Sequence, residues 1–251
     1  MGNVGPRSTN AFPIPILTYH QIEEAPPAGA AYRSLYVTPA SFGRQMAWLR
    51  LLGYTGLSMS ALMPYLKGEK TGRVVGITFD DGYLNNLTHA QPVLQRLGFS
   101  ATCYVVSQRV GQTNLWDEGA GVAQTPLMTP DQLRRWTAGG QEVGAHTRSH
   151  ARLPQVDAAA AWSEISGCKA ELEAMTGQAV SQFCYPYGEF TEDHVQMVER
   201  AGFVAATTTG RSRCHAGDDL LQLPRVPVLR ATTRPLLWAK LATAYEDRRR
   251  A

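Results

Sequence analysis

Apolar runs of strand length alternate with helix-length segments along this chain, and that rhythm constrains its fold more than any other feature. Strand-like runs occupy residues 14–18, 74–79, 101–106, 142–145, 181–185, 204–208 and 223–228. Helix starts stand between them. Thr38-Pro39, Thr129-Pro130-Asp131 and Thr233-Arg234-Pro235 each place a capping hydroxyl just ahead of a proline, which suits a first helical turn. The first of these helices runs to about Leu52 and stops at Gly53. Ser58 or Ser60 caps a short helix that ends near Gly68. Residues 84–97 read as helical, with Pro92 as a kink or a fresh start. Asp157 caps the clearest helix, which reaches Met175 and ends at Gly177. Residues 191–201 form another. Strands joined by crossover helices build a parallel sheet. Seven or eight such strands predict an α/β fold with a closed or nearly closed barrel, and 251 residues suit a single barrel. No repeat and no low-complexity linker divides the chain.

Hydrophobic residues at 44% and charged residues at 18% describe a globular chain. Net charge is 24 − 21 = +3, too mild to imply a nucleic-acid partner, and Arg248, Arg249 and Arg250 read as a solvated helix end. Cys103, Cys168, Cys184 and Cys214 show no CxxC spacing, and their wide gaps favour separate reduced thiols. Cys103 reads as core, and Cys184 as a structural residue close to the candidate site. Residues 1–10 contain no apolar signal core, and no stretch reaches the roughly 20 apolar residues that span a bilayer. The expectation is a cytoplasmic protein as the sequence stands, and a periplasmic or extracellular one if it has been trimmed.

Chemistry concentrates where two strands end. The run at 74–79 leads straight into Asp80, Asp81 and Gly82. Neighbouring strand side chains point to opposite sides, and glycine lets the backbone turn, so two adjacent carboxylates can serve different purposes. The run at 142–145 leads into His146-Thr147-Arg148-Ser149-His150. Imidazoles four residues apart fall on one face of a helical turn. One carboxylate and two imidazoles make a facial metal triad with open positions, and the remaining carboxylate is left to act as a base. Either motif alone is weak, since Asp-Asp-Gly is commonly a turn. Together they lie at the strand ends where barrel enzymes keep their chemistry, as do His20, Tyr187 and Arg225. Trp116, in the long segment 111–128, is a candidate wall for a sugar ring, with Tyr32 and Tyr36 as lesser candidates. His89 and His194 lie on helices and read as surface.

Thr78-Phe79-Asp80-Asp81-Gly82, then His146 to His150, then Phe183-Cys184-Tyr185-Pro186-Tyr187-Gly188 resemble, in order, three motifs of the polysaccharide deacetylase family, the NodB-homology carbohydrate esterases. The resemblance covers roughly residues 73–229. Leu17-Thr18-Tyr19-His20 is similar to the start of the branch that acts on poly-N-acetylglucosamine. The resemblance implies a distorted (β/α)-barrel with about seven parallel strands. The layout would be a flexible segment at 1–12 and one domain over 13–251, with its core at about 73–230. It also implies that Asp81, His146 and His150 hold a divalent metal, that Asp80 is the base, and that the Tyr187 backbone N–H meets the oxyanion. Oxygen and nitrogen ligands suit Zn²⁺, and Co²⁺, Ni²⁺ or Mn²⁺ also fit.

Two departures matter. The late strand, Leu221-Gln222-Leu223-Pro224-Arg225-Val226, lacks the family's histidine, so the general acid is open between His20, at the same barrel face, and His215 in a polar loop. Cys184 or Tyr185 also stands near the place where the family commonly has an arginine. Arg225 could bind a carboxylate or orient Asp80, and Trp116, Tyr185 and Arg225 are the candidate substrate contacts. The expected activity is metal-dependent removal of an acyl group, acetyl first, from an N-acetylated sugar in a polysaccharide or glycolipid precursor. A sugar deformylase, an O-acetyl esterase and a catalytically silent carbohydrate-binding homologue are the rivals.

Overall fold

The computed structural model of the protein describes residues 13–250. The segment 1–12 lies outside the described residues. Seven parallel strands close a barrel: β1 (Ile16–Tyr19), β5 (Val74–Phe79), β6 (Thr102–Val105), β7 (Glu142–Ala145), β8 (Gln182–Cys184), β9 (Ala205–Arg211) and β10 (Leu223–Pro227), with β10 returning to β1. A short β4 (Thr55–Leu57) pairs with the first half of β5, on the edge that β6 takes over further along. A separate two-stranded pair, β2 (Gln21–Ile22) and β3 (Tyr36–Val37), sits just beyond β1. The distorted (β/α)-barrel expected from the sequence is the fold observed.

Helices α1 (Pro39–Leu51), α2 (Met59–Leu66), α3 (Gln91–Leu97), α4 (Pro130–Ala138), α5 (Ala158–Thr176) and α6 (Glu192–Arg200) stand between the strands in sequence, and α7 (Arg234–Ala242) follows β10. Their starts follow local chemistry. Thr38 accepts from the Ser41 amide at 3.2 Å, and Asp157 accepts from the Ala160 amide at 2.8 Å. Thr129 and Gln132 close a reciprocal capping box at α4. The segment expected to be helical at 84–97 resolves into a π-turn over Asn86–Ala90 and then α3, with Pro92 in the first turn of α3. Pro92 therefore marks a fresh start. His194, expected at the surface, is instead buried, and its Nδ1 accepts the Thr191 amide at 3.0 Å to cap α6. His89 is half-buried, with Nδ1 2.7 Å from the Ile22 carbonyl.

Large side chains fill the space between strands and helices. Tyr19, Phe42, Phe79 and Trp136 stack edge-on or tilted at 5.3–6.0 Å between ring centres. All four cysteines are buried and free. Among the described residues, no helix is long and apolar enough to cross a membrane.

Strand register sets the functional end. Tyr19 lies opposite Phe79, so His20 and Asp80 leave the barrel at the same level. Val105 lies opposite Ala145, which delivers His146 at the top of β7.

Candidate active site

Asp80 and Asp81 follow β5 in two different environments. Asp80 is buried, and both of its oxygens face Arg225 on β10: Nη1 to Oδ1 at 2.7 Å and Nη2 to Oδ2 at 2.8 Å. A guanidinium has five N–H groups. Here Nε donates to the Thr208 carbonyl at 2.9 Å, while Nη1 also reaches Thr78 Oγ1 and Nη2 also reaches Cys184 Sγ at 3.3 Å. Arg225 is thus saturated by the protein. Burial would push the Asp80 carboxyl up, but the Arg225 charge and its two hydrogen bonds, with help from His20, hold it well below the usual carboxylate range.

Asp81 turns the other way because its backbone is left-handed, with φ 77°. Its Oδ1 lies 3.6 Å from His146 Nε2 and 3.5 Å from His150 Nε2. Burial pushes this carboxyl up to about 7, against the pull of His146 and with the push of Asp80. The Tyr83 hydroxyl also bonds to it.

The two histidines do not share a helical turn, as their spacing had predicted. Thr147 (φ 62°) and His150 (φ 66°) are left-handed, and the segment is a tight irregular turn. Glu164 on α5 holds it there. One carboxylate oxygen accepts the Arg148 and Ser149 amides at 2.8 and 2.9 Å, and the other accepts the Ser149 hydroxyl at 2.7 Å. Both imidazoles still reach Asp81, with ring centres 4.9 Å apart. His146 Nδ1 donates to the Cys184 carbonyl at 2.7 Å, which orients the ring with Nε2 toward Asp81. Burial, then repulsion by His146, lowers the His150 pKa well below its ordinary value, so that ring stays neutral.

This donor set fits a divalent cation. Separations of 3.5–3.6 Å are too long for good hydrogen bonds. They match the edges of a tetrahedron whose corners lie about 2.0–2.2 Å from a central zinc, which are about 3.3–3.6 Å long. Neutral imidazoles and a carboxylate are the protonation states a cation needs. A second grouping of Asp80, His146 and Cys184 is close enough on distance. It fits poorly, because Arg225 already covers both Asp80 oxygens.

The remaining candidates surround a cleft of about 220 Å³ at the C-terminal ends of the strands. His20 lines it, with Nε2 3.9 Å from Asp80 Oδ2. Burial lowers the His20 pKa, Asp80 raises it, and Arg225 and His146 lower it further. Trp116 stacks on His150 at 4.7 Å, and the Tyr187 ring meets His150 edge-on at 4.5 Å. Arg152 covers the other face of Tyr187 at 3.8 Å. Tyr187 is left-handed, with φ 58°. Tyr185 reaches the cleft only as part of its floor: it is fully buried against Phe183 and Phe190, and its hydroxyl donates to the Leu221 carbonyl. Arg225 is placed as the partner of Asp80, with no donor left for a substrate. Tyr32 and Tyr36 both line the cleft, whereas His215 pairs with Asp247 at 3.4 Å and does not. Cys184 lies beneath the Asp80–Arg225 pair.

Sequence reasoning missed Tyr83 as a cleft residue and gave Asp117, beside Trp116 in the long loop, no role of its own. Tyr83 directly follows Asp-Asp-Gly, so its position in the motif could have flagged it. Asp117 is buried beside Trp116, and its carboxyl is raised by burial against hydrogen bonds from Asn114 and Trp116.

The polysaccharide deacetylase family model matches residues 67–206. A polysaccharide deacetylase of Bacillus subtilis is 27% identical over 86% of this chain and 71% of its own length. The poly-β-1,6-N-acetyl-D-glucosamine N-deacetylase of Staphylococcus epidermidis is 22% identical over 84% of this chain and 78% of its own. Among solved structures, the Streptococcus pyogenes deacetylase PplD in complex with acetate superposes with a TM-score of 0.80 at 25% identity, covering 92% of this chain and 98% of that one. The similarity joins the motif order, the closed barrel and the paired-carboxylate cleft in one conclusion: this chain belongs to the polysaccharide deacetylase family.

Proposed function

We propose that this protein removes an acyl group, acetyl first, from the nitrogen of an N-acetylated sugar, using a divalent cation held by Asp81, His146 and His150. One observation carries the reading: adjacent carboxylates face different partners, Asp80 bonded through both oxygens to Arg225 and Asp81 set 3.5–3.6 Å from the Nε2 atoms of His146 and His150. A bound divalent cation supplies a Lewis acid for the carbonyl and lowers the pKa of water to about 7.

The chain's own residues do the rest. Asp80 is the proton acceptor, and general-base help of this kind contributes about 10²–10⁴ in rate. Arg225 fixes its plane and keeps it ionised. His20, across from Asp80, is the group that returns a proton to the departing amine. The Tyr187 N–H is the donor for the developing oxyanion in this reading, a contact that contributes about 3 kcal/mol in comparable sites. Trp116 and the Tyr187 ring wall the cleft around His150, and Trp116 is the flat face offered to a pyranose ring. Support for a glucosamine-type substrate comes from the activity named for the Staphylococcus relative.

The test is release of acetate and formate from a panel of acylated sugars, with chelator-stripped protein, with and without Zn²⁺ or Co²⁺, beside Asp80→Asn. The expected result is acetate release that needs the cation and falls about 10³-fold in the variant. Formate release alone would redirect the reading to a deformylase. Absence of any release from folded, metal-loaded protein would overturn the hydrolase reading.

A further inference from the structure

A second depression lies beside the cleft, separated from it by a single stretch of chain. Residues 32–36 form the wall. Tyr32, Leu35 and Tyr36 face the cleft, whereas Arg33 and Ser34 face the other side. The opposite wall also runs on from the active site: two residues past the end of β10, which carries Arg225, come Leu229 and Arg230. Thr38 and Ser41, at the start of α1, complete the lining. The Arg230 amide donates to the Ser34 carbonyl at 2.8 Å, which ties the two walls together. The depression is open to solvent, with about 530 Å³ of space over its lining.

Its charge is one-sided. Arg33 and Arg230 line it, and no acidic residue does. Arg44 approaches the same edge, where its Nη2 donates to Ser41 Oγ at 3.0 Å. Among the described residues, none of these three arginines has a carboxylate partner. The Arg33 Nε donates to the Pro26 carbonyl at 2.7 Å, which fixes the guanidinium while its terminal nitrogens make no bond to the described protein. Guanidinium forks match the geometry of an oxyanion with several lone pairs.

We propose that this groove is an accessory subsite for an anionic group, phosphate or carboxylate, carried by the same saccharide whose acyl group is removed in the cleft. The proposal rests on the hydrolase reading for its substrate but not for its geometry. It makes the enzyme selective for acylated glycans with a charged neighbour over neutral ones. Arg33 and Arg230 bind the charge and take no part in the chemistry.

The experiment compares initial rates on a neutral N-acetylated oligosaccharide and on the same oligosaccharide bearing a phosphate ester or a uronate, at low and high salt, with wild type and with Arg33→Gln/Arg230→Gln. The expected result is a KM about fivefold to tenfold lower for the anionic substrate, with kcat alike. The advantage disappears in the double variant and at high salt, while turnover of the neutral substrate is unchanged. A binding arm uses Asp80→Asn and measures affinity for the two oligosaccharides by calorimetry, so that a failure of catalysis is not mistaken for a failure of the groove. Equal KM and equal affinity for both substrates in wild type would overturn the proposal. So would an arginine-dependent sedimentation with phosphatidylglycerol vesicles in the absence of any preference among oligosaccharides, which would assign the groove to a lipid surface.

Discussion

The helical shell and the rim of the cleft treat left-handed backbone differently. In the shell, such turns fall to glycine: Gly53 after α1, Gly98 after α3, Gly177 after α5 and Gly202 after α6. At the rim they fall to Gly82 and Gly188 and also to residues with side chains. Tyr32, Asp81, Thr147, His150 and Tyr187 are the only non-glycine residues with positive φ among those described, and all stand at or between the residues of the cleft. Each such position costs on the order of 1–3 kcal/mol. The shell avoids that cost, and the rim accepts it, because a reversed backbone is what turns Asp81 and His150 toward one point. The rim also keeps buried polar atoms without partners, His150 Nδ1 and Thr147 Oγ1. Where the shell is built for stability, the rim is built for aim.

Three measurements would break or sharpen this contrast. Arg225→Gln should have the largest effect. Breaking a buried ion pair from one side costs about 3–5 kcal/mol. Asp80 is held below the ordinary carboxylate range, so its contribution to stability is present above that range and is lost as pH falls through its folded pKa. Without Arg225, burial is opposed only by the weaker pull of His20 and His146, so Asp80 rises, and the acid limb of the kcat/KM profile should move to higher pH, together with a lower midpoint in a urea melt. An unmoved acid limb would separate Asp80 from the chemistry.

The second effect is on cation affinity. Proton and cation compete for Asp81, whose carboxyl is pushed up to about 7 in the cation-free chain. Cobalt affinity, read from the visible spectrum, should therefore weaken about tenfold per pH unit on going below 7, and level off above it. A flat profile between pH 5 and about 7 would place the cation elsewhere.

The smallest effect compares the two regions directly. Gly177→Ala has open space for the new Cβ but a φ of +66°, so it should lose about 1 kcal/mol with activity unchanged. Thr147→Gly should gain about 1 kcal/mol by relieving the turn and removing an unpaired hydroxyl, while the rate falls. Loss of stability in both variants would mean that the rim is not strained.

The barrel was readable from the sequence because each strand and cap is locally encoded: Thr38, Thr129 and Asp157 cap the helices that their neighbours predicted. The motif residues were readable because they follow strands directly. The turn between His146 and His150 was not, since its left-handed residues are held by Glu164, on a helix that begins several residues later. Tyr185 was expected at the substrate, but its placement depends on the distant Leu221 carbonyl. Arg225 was open between two roles, and only strand closure sets it against Asp80. His194 illustrates a local signal read too narrowly: Thr191 three residues earlier marks a helix start, and a histidine can serve as the reciprocal cap.

The pairing of Asp80 with Arg225 joins residues 145 positions apart, on strands that meet only when the barrel closes around β1. Contacts of that sequence separation form late, after the entropy of a long loop has been overcome. Until then the base lacks its partner and sits in an unfinished wall. Catalytic competence in this protein should therefore arrive with the last strand, in one step, rather than grow with the chain. A ribosome-bound or truncated chain that ends before β10 would hold all three cation ligands and still lack a working base.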